Sequence, residues 1–330
     1  MVEYSIMKKG KLFIKKAFYT SIIAFLLASC ASTQSGDSNK TSKKTDQTQE
    51  ISEREPSPAE IFIQTINTFS LKFTKSPDKT KKGKEFNSAF EVTVYNKDQQ
   101  PVAGFDVCFL YPTGKNGFKL EYDTVIVTTN ENGIASFNPG VINFAAKDQV
   151  IAYPDIPGFL NFDGDYKTIP LPYAEADFLV ESDVAAKGAI MFVFEYTEGG
   201  KPSKNSYQIL SALRKKGVSM IGNAPISDDT SYITASKQKI YKDNYEYVED
   251  QFGYLIGGTV KFANPVEANE DGTYTAHLVS EIYSIDMKTG NVVYEETNEY
   301  TSTGTNWSKA VESCKEALTA IVVDSIMYGL

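Results

Sequence analysis

The sequence predicts an α+β chain: an all-β sandwich followed by a domain of order β-α-β-α-β-β-β-α. Three observations carry this. From Phe62 onward apolar residues recur with period two and are broken by short turns, the signature of strands with one buried face. From about residue 186 the period becomes mixed, with helical spacing between apolar strand runs. The chain then closes on Trp307, Val311, Cys314, Leu318 and Ile321 at spacings of three and four, a helix with one apolar stripe.

Composition narrows the functional classes first. The 330 residues hold 33 Lys+Arg against 42 Asp+Glu, a net charge of −9, and 42% are hydrophobic, enough to build real cores. An acidic chain argues against nucleic acid, which needs a basic face to displace phosphate counterions. Only Arg54 and Arg214 are Arg, so bidentate phosphate recognition has few donors. One His and three Cys leave few ligands for zinc and little for Cys–His or Ser–His catalysis. No catalytic residue, metal ligand or cofactor site is expected.

Residues 1–29 read as a secretory signal. Five Lys precede the apolar run Ala17–Ala28, which is too short to span a bilayer as a helix. Met7 begins a more compact version, so either Met1 or Met7 can be the initiator; an uncut amino-terminal anchor is the alternative. The run ends in Leu27-Ala28-Ser29-Cys30, which resembles the lipobox of bacterial lipoproteins. That resemblance implies peptidase recognition of Leu27, Ala28 and Ser29, lipidation of Cys30 with palmitate-type chains, and attachment to the membrane by lipid. Ala31 and Ser32 follow without an Asp, which by resemblance to enteric bacteria favours the outer membrane over the inner. Removing 1–29 takes away a net +4, so −9 becomes −13.

Residues 30–60 form the lipidated Cys and a tether. They lack aromatic residues and hold Ile51 as their one large aliphatic before Glu60, too little to offset ordering entropy. A flexible coil of this length spans roughly 30 Å, and about 100 Å when fully extended.

Residues 61–185 are the sandwich. Phe69, Leu71 and Phe73 alternate with polar residues, as do Phe90, Val92 and Val94. Phe105–Tyr111 is apolar on both sides, as a central strand is. Val125–Thr129 and Ile134–Phe137 flank Asn130-Glu131-Asn132-Gly133 and predict a hairpin. The stretch from Val92 to Gly140 resembles immunoglobulin-like and prealbumin-like modules of bacterial surface proteins, with Pro101-Val102-Ala103-Gly104 before a strand and a Thr-Asn-x-x-Gly turn later. Six Lys between Lys72 and Lys84 read as a solvated loop, or as a patch for anionic lipid or cell-wall polymer. Asp163-Gly164-Asp165 reads as a polar turn rather than a calcium loop, since further oxygen ligands at loop spacing are missing.

Residues 186–330 are the second domain. Ile190–Phe194 is a strand, Ile209–Leu213 a helix, Ser219–Gly222 a strand and Tyr241–Phe252 a polar helix. Tyr254–Phe262, Thr273–Ile285 and Asn291–Thr301 are strands, the last two joined by Asp286-Met-Lys-Thr-Gly290. Lys309, Glu312, Lys315 and Glu316 are assigned to the solvent side of the last helix. With Gly257-Gly258 in its strand and the Asp286–Gly290 turn, the region resembles a periplasmic α/β domain. That domain is found in the curli secretion lipoprotein, the amino-terminal part of TolB, activators of penicillin-binding proteins and flagellar assembly proteins. The resemblance implies protein binding or assembly of oligomers without catalysis. Long amphipathic hairpins that would line a pore are lacking.

Remaining chemistry is weighed residue by residue. His277 lies on a mostly polar strand face without a catalytic motif. Cys108 and Cys314 fall in different domains and are expected as buried free thiols rather than a disulfide. Thr303-Gly304-Thr305-Asn306 is a helix cap, or an anion cradle. The chain is thus expected to be a non-catalytic adaptor, assembly factor or activator for envelope proteins, with oligomers open. The alternatives are a carboxylate hydrolase of envelope glycans and a surface adhesin.

Overall fold

A computed structural model of the chain describes residues 55–156, 171–226 and 229–330. Leu27–Cys30, read as resembling a lipobox, and Asp163–Asp165, read as a polar turn, lie outside the described residues. The first element is helix α1, Pro58–Ile66. Ser57 Oγ accepts from Glu60 N at 3.3 Å, and Ser57 N donates to the Glu60 carboxylate at 2.6 Å. This reciprocal cap, with Pro58 on the first turn, starts a helix where the sequence reading placed the end of the tether.

The first module has two sheets. β1 (Ser70–Lys75), β3 (Phe90–Tyr95) and β6 (Ile134–Phe137) form one, in the order β1-β3-β6. The other runs β2-β8-β7-β4-β5, from β2 (Thr80–Lys81), β8 (Ala174–Glu181), β7 (Ala146–Pro154), β4 (Asp106–Asn116) and β5 (Lys119–Thr128). Both sheets feed one core in which Phe90, Val92, Val94, Val107, Phe109, Val150 and Phe178 are fully buried. β4 sits between β5 and β7, which is why its Val107–Phe109 run is apolar on both sides.

The expected hairpin at 125–137 is corrected. The turn itself forms: Asn130 Oδ1 accepts the amides of Asn132 and Ile134, and Gly133 takes φ 72°. β5 and β6 nevertheless join different sheets, β6 pairing with β3. Val94 N donates to Gly133 O, and Thr129 Oγ1 accepts from Phe105 N and donates to Val102 O. The turn is thereby pulled onto β3, and the chain crosses between sheets instead of reversing within one. A side chain at Gly133 would strike Pro101 and Val102 at 2.8 Å, so the Pro101–Gly104 stretch holds the crossing closed.

The short helix α2, Val184–Lys187, leads into the second module. This contains β9 (Ala189–Tyr196), β10 (Pro202–Asn205), α3 (Tyr207–Lys215), β11 (Ile221–Asn223), a 3-10 turn (Thr230–Thr234) and α4 (Lys237–Val248). β12 (Tyr254–Phe262), β13 (Glu267–Ala268), β14 (Tyr274–Asp286), β15 (Val292–Gly304) and α5 (Trp307–Gly329) complete it. Apart from the short β10 and β13, the order is the expected one. β12 is central, flanked by β9 and β14; β9 runs parallel to β11 and β12, β14 antiparallel to β12, and β15 antiparallel to β14. α3 and α5 bury one face through Met191, Val193, Ile256, Leu278, Leu318 and Ile326. The 3-10 turn and α4 cover part of the other face over Phe192, Phe194, Leu255 and Ile285. α4 begins at Lys237, ahead of the expected Tyr241, because Ser236 caps it through Lys239 N at 3.2 Å.

Residues Glu55–Leu330 form a single compact unit, so the two modules are joined rather than strung apart. Among the described residues no helix is long and apolar enough to cross a membrane.

Candidate functional site

The junction between the modules is built from the end of β8 and the last turns of α5. Ser182 N donates to Met327 O at 2.7 Å, and the Lys115 ammonium donates to Gly329 O at 2.6 Å. Lys147 pairs with Asp324 on the same side. Cations thus meet the carbonyl-rich end of a long helix, where its dipole favours positive charge. Burial and the nearby Lys82 push Lys115 down to about 8, against the pull of Glu296. Across the junction the Tyr254 hydroxyl donates to Asp183, which also holds Lys187 at 2.8 Å. Burial works to raise the Asp183 carboxyl, but these two donors win and hold it below the usual carboxylate range. The lysine-rich run at 72–84 is partly consumed internally: Lys75 pairs with Glu91 at 3.3 Å and Lys79 with Glu181 at 2.5 Å.

The sheet face left uncovered by α4 carries His277, whose Nε2 lies 3.4 Å from the Glu299 carboxylate. Glu299 is 72% exposed at its side chain, so this pair lacks the enclosure that orients a catalytic imidazole. Lys261 holds Glu281 at 3.2 Å on the same open face. The cap reading of Thr303–Asn306 is the one observed. Asn306 Oδ1 accepts from Lys309 N at 2.9 Å, and Gly304 lies so close that a side chain there would meet Ala310 N at 2.3 Å. Asp286 Oδ1 accepts the amides of Lys288 and Thr289, which makes the expected turn between β14 and β15.

Gly257 and Gly258 were expected in the strand Tyr254–Phe262 and are found there. Both lie inside β12, paired to Tyr283 and Ile282 of β14. The Tyr283 ring lies across Gly257, where a methyl would come within 2.2 Å of it. Both glycines serve packing, Gly257 buried and Gly258 half-buried. Cys108 and Cys314 are buried and free, and burial pushes both thiols up, which makes them poor nucleophiles.

Sequence reasoning missed two polar contacts. Glu195, at the end of an apolar strand and 6% exposed, pairs with Lys315 of α5 at 2.8 Å. Lys315 therefore does not sit on the solvent side; its stem follows the helix flank and its head reaches the sheet. Beside them, Ser206 and Thr319 line a cavity of about 10 Å³, room for about one water. Trp307, assigned to the core stripe, is 43% exposed. Its indole N–H donates to Glu198 at 3.1 Å, while the other Glu198 oxygen accepts from Val266 N at 2.7 Å.

The second module is thus a mixed α/β sheet domain with a long closing helix. Residues 188–327 match the family model described as "TP0693-like lipoprotein, C-terminal domain", which covers most of this module and less than half of the chain. The chain is also similar to a PelC dodecamer from Paraburkholderia phytofirmans (21% identity, 42% of this chain and 86% of that one, TM-score 0.25). The lipoprotein GNA1162 from Neisseria meningitidis is 10% identical over 42% of this chain and 96% of that one, with a TM-score of 0.27. A lipoprotein from Caulobacter crescentus is 10% identical over 44% and 88%, with a TM-score of 0.25. Likeness at these values supports no statement about activity or assembly. No curated protein matches the chain.

Proposed function

We propose that this chain is a lipid-anchored cell-envelope lipoprotein, held through Cys30 after cleavage behind Leu27-Ala28-Ser29, that acts as a non-catalytic adaptor or assembly factor for an envelope protein complex. The observation that carries it is the match of residues 188–327 to a lipoprotein C-terminal domain in a chain that also carries the lipobox-like Leu27-Ala28-Ser29-Cys30. The absence of an Asp after Cys30 favours the outer membrane. In this reading the residues ahead of α1 are the spacer from the lipid, and the first module is an immunoglobulin- or prealbumin-like sandwich. The junction at Asp183, Lys115 and α5 supports the adaptor role, because it presents both modules as one body rather than as beads on a string.

Metabolic labelling with an alkyne fatty acid tests the anchor: the wild-type chain should take up label and fractionate with membranes, and Cys30→Ser should do neither. Equal labelling of the two sinks the assignment. Crosslinking in intact envelopes followed by purification tests the adaptor. A discrete envelope protein should be recovered, and recovery of none argues against the role.

A further inference from the structure

β5 is the last strand of the five-stranded sheet, with β4 on one side and, among the described residues, no strand on the other. Natural edges are usually guarded by charge, proline or a bulge. The outer edge of the second module has such a guard, since β15 carries Glu295, Glu296 and Glu299. The first half of β5 is guarded by Lys119, Glu121 and Asp123. Its second half, Thr124-Val125-Ile126-Val127-Thr128, has no charge, proline or glycine and consists of five β-branched residues. Ile126 is 55% exposed.

The sequence of that half reads the same in both directions. Antiparallel pairing with an identical strand about Ile126 would set Ile126 against Ile126, Val125 against Val127 and Thr124 against Thr128, all favourable cross-strand pairs. The three charges fall beyond the paired stretch. Backbone direction agrees with this register. Thr129 N donates to Phe105 O, so by alternation Val125 and Val127 turn their amides toward β4, while Thr124, Ile126 and Thr128 turn theirs outward. These outward residues are the ones that the Ile126-centred register places opposite one another, giving about six new inter-strand bonds. Of their groups, the Thr124 amide is held by the Asp123 carboxylate at 2.8 Å, a local bond that pairing would exchange. Val125 and Val127 already pack into the sandwich core, and Ile126 stands on the outer face beside the half-buried Leu110 and Ile151.

We propose that this edge is a homodimer interface: β5 pairs antiparallel with β5 of a second copy about a two-fold axis through Ile126, joining two five-stranded sheets into one. The interface is isologous and self-limiting, because pairing consumes the only unguarded half of the edge on each copy. It does not depend on lipidation or on any envelope partner.

Crosslinking of single introduced cysteines tests the register on the full chain in membranes, in a Cys108→Ala, Cys314→Ala background, because Cys108 of β4 lies directly opposite Ile126 and would capture a thiol there within one chain. Residues opposite each other in such a pair have Cα atoms about 5.5 Å apart, inside disulfide range. Ile126→Cys should therefore form a covalent dimer on mild oxidation. Thr124→Cys alone and Thr128→Cys alone should not, because each lies about 14 Å from its own copy along the strand. Mixing Thr124→Cys with Thr128→Cys should restore the crosslink. As a second measurement, Ile126→Lys should raise the dimer dissociation constant of the detergent-solubilised chain roughly tenfold or more, with unchanged circular dichroism, since the residue is exposed. A monomeric Ile126→Cys chain, or equal crosslinking from Thr124→Cys alone, overturns the proposal.

Discussion

Gly258 adopts φ 151°, and a methyl added there would lie 2.1 Å from the Glu281 carbonyl of the neighbouring strand. The obstacle is backbone, so no side-chain movement can relieve it. At Gly257 the obstacle is the Tyr283 ring, which can swing aside at the loss of its own packing. Gly258→Ala is therefore expected to cost about 3 kcal/mol or more and Gly257→Ala about 2 kcal/mol, by urea denaturation. Adding Tyr283→Ala should recover part of the Gly257→Ala loss and none of the Gly258→Ala loss. Equal recovery in both would mean that the ring, and not the strand geometry, sets both costs. The sequence placed the two glycines in a strand but gave no reason for glycine there. The ring that demands Gly257 comes from another strand, and only pairing brings the two together. His277 was easier to read, because the alternation of one strand suffices to put it on the open face.

Helix α5 shows what periodicity can and cannot recover at the scale of an element. Val311, Cys314 and Leu318 were assigned to its buried stripe, and all three are buried. Trp307 and Lys315 were assigned to the wrong sides, because both are held at the helix flank, Trp307 by Glu198 in the turn after β9 and Lys315 by Glu195 of β9. A spacing rule resolves the centre of a face and not its margins. The same limit applies at α1, where the Ser57–Glu60 cap was present in the sequence but the short apolar run after it was read with period two. The Glu195–Lys315 pair gives the element a measurable asymmetry. Lys315→Met leaves Glu195 buried without its cation and should cost about 2–3 kcal/mol. The double variant Lys315→Met with Glu195→Leu should regain most of that loss, since apolar groups of similar volume replace a desolvated pair. A double variant no better than the single one would show that the cavity beside Ser206 and Thr319, and not the ion pair, governs the site.

The whole molecule has separate cores in its two modules, yet α5 touches both. Its middle buries Leu318 against the sheet of the second module, and its last turns bond Ser182 and Lys115 at the border of the first. This border was not legible in the sequence. Its contacts join residues far apart in the chain, and the lysines concerned looked like ordinary solvated charge. The consequence is that neither module should open alone. Cys108 and Cys314 report on them separately, one buried in each and both unreactive while packed. Under rising urea, with labelling resolved by peptide mapping, both thiols are expected to become reactive over the same concentration range. Ile326→Ala, at a fully buried site whose carbonyl also accepts from Ser182 Oγ at 3.4 Å, should cost about 3 kcal/mol and move both transitions together. The substitution lies in the second module, so an earlier transition for Cys108 would have to travel through the junction. Should Cys314 react early while Cys108 keeps its wild-type midpoint, the junction is a contact without coupling, and the two modules open independently.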